Sequence, residues 1–191
     1  MLNEATIKKR LSEVLDEERF SHSLSVEKTA MDLARHHGVP EDKAKIAGLL
    51  HDAGRWMEKE GFLKKAKEFG IEADEVEKFE PKLLHSKLSA AVAKRDFGIT
   101  NQEILSAIEN HTTGRVGMSK LDEIVYLADH IVAGRSYKGV EEVRSLAYIN
   151  MDLAIVKSTT SMIELLAQKN LPIHPRTVQT RNFYLMKSKN H

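Results

Sequence analysis

Along nearly the whole chain, apolar residues recur three and four positions apart, the period of one helix face, and alternating β-branched runs bounded by turn residues are missing. The pattern points to an all-α fold. Ile7, Leu11, Val14 and Leu15 form a first stripe, and Leu24, Val26, Ala30, Leu33 and Ala34 form a second that Ser21 is placed to cap and Gly38 to end. Pro40 with Glu41 and Asp42 opens a third helix, where acidic groups suit the positive end of the dipole, and it runs through Ala44, Ala47 and Leu50 to His51. Residues 56–80 are rich in Lys and Glu and read as one or two short helices interrupted at Gly61 and Gly70. Pro81 opens a helix through Leu84, Leu88, Ala91 and Val92 that stops at Gly98. Thr100 with Glu103, and Ser119 with Asp122, have capping-box spacing ahead of further apolar stripes. Val140, Val143 and Leu146, then Leu153, Ile155, Met162, Ile163 and Leu165, mark later helices before Pro172, Pro175 and a last basic amphipathic segment. No linker interrupts the 191 residues, so one domain over 1–191 is expected, with a helical core over about 19–135 and helices over about 139–188 packed on it.

Into this apolar pattern are set groups that do not belong in a dry core. The run Ala47-Gly48-Leu49-Leu50 ends in His51-Asp52, and burying both without partners is costly. His22, His85, His111 and Asp129 have similar settings. Each alone reads as an ordinary structural histidine or capping aspartate. Together, His22, His51, Asp52 and Asp129 are what helices project inward to hold a metal ion, with room left for water and substrate. There is no cysteine, so the ligands must be imidazole and carboxylate, a set that suits Fe, Mn, Zn, Co or Mg. His85 and His111, each followed by hydroxyl residues, could complete a second ion site or serve a phosphate or leaving group. Arg115 and Arg135 stand beside Gly114 and Gly134, where a guanidinium can present its fork to phosphate. His130 follows Asp129 as a candidate support for it, Gly54 is expected to loosen the chain after the His-Asp pair, and Trp56, Phe62 and Phe69 read first as core and second as base-stacking rings.

The order His22, His51-Asp52, Asp129 resembles the HD-domain superfamily of metal-dependent phosphohydrolases. The segments HSLSV, AGLLHDAGR, LLHSKLSAAVA, EILSAIENHTTGR, MSKLDEIVYLADHI, GRSYKGVEEVRSLA and IHPRTVQTRN extend that resemblance to the bacterial YqeK-type symmetrical dinucleoside tetraphosphate hydrolases, over about Arg19 to Asn182. The resemblance implies an HD-type helical bundle in which His22, His51, Asp52 and Asp129 hold a divalent metal, iron foremost. It implies that His85 and His111 line the substrate phosphates or hold a second ion; for the reaction itself, Asp52 is expected to orient the attacking water and His85 or His111 to protonate or bind the departing oxygen. It places Thr112, Gly114, Arg115 and Arg135 on the nucleotide surface, where Arg55 is a further phosphate-binding candidate, and it implies cleavage of diadenosine tetraphosphate into two ADP. Arg55 stands where the family often has Lys, and Val132-Ala133 where it usually has Glu-Pro.

The rival readings, in order, are another HD phosphohydrolase, acting on a nucleoside triphosphate, a cyclic dinucleotide or a guanosine tetraphosphate-type alarmone; a non-catalytic nucleotide sensor; and an RNA-associated factor using the basic stretch Arg176 to Lys189. With 29 Lys+Arg against 28 Asp+Glu the formal net charge is +1, which gives no case for binding a nucleic-acid polymer. No signal peptide or membrane-length apolar run is visible, so a cytoplasmic protein is expected, with a small-molecule substrate and a homodimer among its partners.

Overall fold

The computed structural model describes residues 4–55 and 59–189, with side chains at all but 59 and 60. Trp56, His191 and the side chain of Lys59 lie outside the described residues. Eleven α-helices are formed among those residues, and no strand. They are α1 (Glu4–Val14), α2 (Glu17–His37), α3 (Glu41–Leu50), α4 (Lys59–Glu68), α5 (Glu75–Phe79), α6 (His85–Asp96), α7 (Gln102–Asn110), α8 (Lys120–Ile131), α9 (Val140–Ile149), α10 (Met151–Gln168) and α11 (Pro175–Lys189), with a single 3-10 turn, Pro81–Leu84, leading into α6.

Helix ends follow the local chemistry, sometimes at a different residue from the expected one. Asp16, not Ser21, caps α2 by accepting from the Arg19 amide, because two glutamates at Glu17 and Glu18 extend the helix a full turn earlier. Asn101 caps α7 through the Glu103 and Ile104 amides, displacing the expected Thr100–Glu103 box. Ser119 and Asp122 do form a capping box at α8. Gly38 ends α2 in the left-handed conformation, φ 68°. Gly61 breaks nothing and lies within α4, while Val14 turns half exposed away from the α1 stripe.

α8 is the centre of the molecule. Every residue from Leu121 to Ile131 is buried, and α2, α3, α7, α9 and α10 all pack against it. One apolar cluster runs from Ile7 on α1 to Tyr184 on α11, and a smaller one joins Phe62 and Ala66 of α4 to Leu84 and Leu88. His36 and His37 do more than favour a helix dipole: their Nε2 atoms lie 2.7 Å from the Tyr148 and Ala147 carbonyls, tying the end of α2 to the last turn of α9.

Two close approaches position the chemistry. Gly54 does not loosen the chain; its N–H donates to Ser89 Oγ at 2.8 Å, and a Cβ there would stand 2.6 Å from the Ser89 nitrogen, so the turn after His51-Asp52 is pressed onto α6. On the other side, α11 clamps the turn after α7. Thr180 Oγ1 donates to the Thr113 carbonyl at 3.2 Å, Arg176 Nη2 donates to Asn110 Oδ1, and Gly114, φ 64°, leaves the space that the Thr180 side chain fills.

Candidate metal centre

The inward-facing histidines share a local device. His51 follows the last residue of α3, His85 follows the 3-10 turn, and His111 follows α7, and each ring Nδ1 donates to the carbonyl three residues earlier, Gly48, Lys82 and Ile108, at 2.7, 2.6 and 2.7 Å. That bond fixes the tautomer, so all three Nε2 atoms turn a lone pair inward, as metal-ligating histidines do. His22, on the second turn of α2, brings its Nε2 to 2.9 Å from Asp129 Oδ1 on α8.

Between these rings sit the carboxylates. His51 Nε2 is 3.7 Å from Asp52 Oδ2 and 3.9 Å from Asp129 Oδ1, and Asp52 Oδ1 lies 3.5 Å from His85 Nε2 and 3.8 Å from His111 Nε2. Burial opposes charge on Asp52 and Asp129, but both are held below the usual carboxylate range: Asp52 by His51, His85 and Arg55, and Asp129 by His22, His51 and Arg135. Burial pushes the His85 ring down as well, and the His111 ring down to about 3, so both are neutral near pH 7.

Three observations fit this set to divalent ions. His51 Nε2 and Asp52 Oδ1 are fully buried and have no hydrogen-bond partner, a cost that a coordinated cation removes. The ligand atoms of His22, His51 and Asp129, and again those of His51, Asp52 and His111, all fall within 4.8 Å of one another. His85 and His111 present their Nε2 lone pairs to each other at 3.0 Å, with Thr112 Oγ1 at 3.0 and 3.2 Å from them, an arrangement that calls for a proton or a cation between the rings. Four imidazoles and two carboxylates therefore form a cage without sulfur, of the kind that suits Fe, Mn or Zn.

The cage floors a groove. On one side a cavity of about 270 Å³ is lined by Asp16, Arg19, His22, Asp52, Arg55 and Arg135; on the other, one of about 210 Å³ is lined by Arg55, His85, Thr112, Asp129, His130 and Arg135. Arg55 Nη1 reaches Asp52 Oδ2 at 3.2 Å, and Arg135 bonds the Asp129 carbonyl at 2.8 Å and its Oδ1 at 2.5 Å, yet both guanidiniums remain partly exposed to the groove. The structure thus brings together His22, His51, Asp52, His85, His111, Asp129, Arg55, Thr112 and Arg135. Arg115 is placed elsewhere: it pairs with Asp122 at 2.8 Å at the start of α8 and lines neither of these two cavities. Gly114 contributes space for α11 rather than a side chain. Arg19 and Tyr137 are groove residues that the sequence reading did not single out; Arg19 is marked only by lying one turn ahead of His22, and Tyr137 by no local signal.

Comparison with known proteins agrees with this geometry. A protein of Halalkalibacterium halodurans named "Bis(5'-nucleosyl)-tetraphosphatase, symmetrical" is 35% identical over 92% of this chain and 93% of its own length, and one of the same name from Bacillus subtilis is 34% identical over 88% and 90%. The crystal structure of a "predicted HD superfamily hydrolase involved in NAD metabolism" from Clostridium acetobutylicum has a TM-score of 0.94 and 35% identity, covering 98% of this chain and 99% of that one. The family model described as "HD domain" matches residues 19–134, the span that carries every histidine and aspartate of the cage, and the chain belongs to that family.

Proposed function

We propose that this chain is a symmetrical dinucleoside tetraphosphatase, hydrolysing diadenosine tetraphosphate to two ADP. The observation that carries the reading is the groove: a buried His/Asp cage, with Arg55 and Arg135 lining the cavities on both sides of it, suits a long polyanion whose middle must be cleaved. The names of near-full-length relatives point the same way.

In the reaction, water oxygen bonds to one central phosphorus, the anhydride bond on its far side breaks, and the departing ADP takes the bridging oxygen and its electron pair. Divalent ions in the cage, iron by our reading, supply positive charge to the phosphates and make a nearby water more acidic. The protein does the rest. Asp52 Oδ1 accepts a hydrogen from the attacking water and aligns it. Arg55 and Arg135 are held by Asp52 and Asp129 with their remaining N–H groups toward the phosphate oxygens, where they offset the charge that builds up in the transition state. The fixed tautomer of His85 and His111 makes them acceptors, which favours a role in holding an ion over that of a proton donor; with an ion on those nitrogens, the Thr112 hydroxyl beside them is released to donate to the leaving oxygen.

The test is product analysis. Metal-supplied protein is incubated with diadenosine tetraphosphate, with and without chelator, and the nucleotides are separated by chromatography. ADP as the sole product, lost on chelation, supports the proposal; ATP with AMP refutes it.

A further inference from the structure

The groove does not end at the arginines. Past His130 it opens into a cavity of about 310 Å³ between the α8–α9 connection and α10, lined by Tyr137, Ser158, Ser161, Met162 and Leu165. His130, Arg135, Tyr137 and Met162 border both this cavity and the one that holds His85, Thr112 and Asp129, so the two are continuous. Its size is at the lower end of small-ligand pockets, room for one flat group and its sugar.

The lining has a definite chemistry. Met162 and Leu165 are apolar. Ser158 is 1% exposed, yet its Oγ has no hydrogen-bond partner, and the Tyr137 hydroxyl is buried in the same state. Ser158 Oγ has the Tyr137 and Tyr126 hydroxyls as near neighbours, without a hydrogen bond of standard geometry to either. Buried hydroxyls without partners are rare and point to a ligand that supplies them. His130 is locked in place: its ring stacks on Tyr126 with centroids 4.2 Å apart, and its Nδ1 donates to the Tyr126 carbonyl at 2.8 Å. Its Nε2 therefore carries a lone pair and accepts hydrogen from whatever lies beside it.

Distance from the cage orders these groups. His130 and Tyr137 border the phosphate cavity, whereas Ser158, Ser161 and Leu165 border only the far one. Resting on the reading of the groove as a polyphosphate site, we propose that this cavity receives one nucleoside of the substrate: a ribose hydroxyl donates to His130 Nε2, and the base lies against Met162 and Leu165 with the Ser158 and Tyr137 hydroxyls on its polar edge. The residues that read the nucleoside then belong largely to α10 and the α8–α9 connection, apart from the cage itself.

The test compares ADP with pyrophosphate, which has the phosphates and no nucleoside, by calorimetric titration of manganese-supplied protein. ADP is expected to bind at least about tenfold more tightly than pyrophosphate. Ser161→Trp, which fills the cavity from α10, should erase that advantage and leave pyrophosphate binding unchanged, and Ser158→Ala, which removes one oxygen, should reduce it about three- to tenfold. The 2′,3′-dideoxy analogue of ADP should bind more weakly than ADP to the wild type and equally to His130→Phe, which keeps the stacking on Tyr126. Equal binding of ADP and pyrophosphate, or an ADP advantage that survives Ser161→Trp, overturns the proposal. If these binding results hold and diadenosine tetraphosphate is not cleaved, the reaction is wrong and the nucleoside site stands. If cleavage is symmetrical and Ser161→Trp has no effect on ADP, the nucleoside site alone is wrong.

Discussion

Gly54→Ala is a one-carbon change whose cost can be worked from contacts. The new Cβ would lie 2.6 Å from the Ser89 nitrogen and 2.8 Å from the Leu88 carbonyl carbon, both backbone atoms that cannot rotate aside. An ordinary contact begins near 3.4 Å, so the turn and α6 must separate by several tenths of an ångström or more. Overpacking of this kind costs about 1–3 kcal/mol. Separation also stretches the buried 2.8 Å bond from the Gly54 N–H to Ser89 Oγ, for roughly another 1 kcal/mol. A total of about 2–4 kcal/mol corresponds to a fall in Tm of roughly 4–16 °C for a chain of this size. Catalysis should suffer more than stability, because the same turn carries Asp52 and the same helix begins with His85, 3.5 Å away. A misplacement approaching 1 Å costs on the order of a hundredfold in rate. Thermal unfolding followed by circular dichroism and steady-state hydrolysis measure the two effects. Gly38→Ala is the control: its φ of 68° makes Ala unfavourable by about 1 kcal/mol, but no atom lies within 4 Å of the added carbon and turnover should be unchanged. A Gly54→Ala protein that melts within about 2 °C of wild type and keeps its rate would refute the close-packing argument.

Asp52→Ala should abolish turnover of metal-supplied protein and leave the far-ultraviolet dichroism intact; near-normal hydrolysis would remove Asp52 from the mechanism. Metal-stripped protein should lose stability as pH falls. The His111 ring is neutral in the fold down to about 3, while the unfolded chain takes up that proton near 6.5, so the unfolded state binds more protons throughout this window and gains as the solution becomes more acidic. From His111 alone the loss between pH 6.5 and 5 is about 2 kcal/mol, seen as a lower urea midpoint, with a flat response above pH 7. Arg176→Ala removes the bond to Asn110 at the end of α7 and should lower kcat about three- to tenfold with KM little changed, a split that steady-state kinetics resolves.

The fold class was readable because helix period and helix caps are local properties, and α8 shows both: a Ser119–Asp122 box and an unbroken apolar run. His51-Asp52 and Asp129 were visible for a related reason, as polar groups interrupting stretches that otherwise bury completely. What could not be read depends on residues far away in the chain. Gly54 looks like a flexible hinge until Ser89 is known to press on it. That Arg115 pairs with Asp122 at the start of α8 and lines neither cavity beside the cage is equally invisible in the local sequence. His36 and His37 find their acceptors more than a hundred positions on. Cap choice failed on a finer scale: at Asn101 two good capping residues are adjacent, and local spacing does not rank them.

The clamp formed by α11 has a consequence for how the protein is made. Every histidine and aspartate of the cage precedes residue 130, and the helix that holds the His111–Gly114 turn begins only at Pro175. During synthesis all the inward-facing groups emerge before their brace does, and at ordinary elongation rates this interval lasts seconds. Over that interval the turn lacks the contacts that α11 makes to Asn110 and Thr113. Docking of the final helix is therefore the last step in fixing the turn that carries His111 and Thr112.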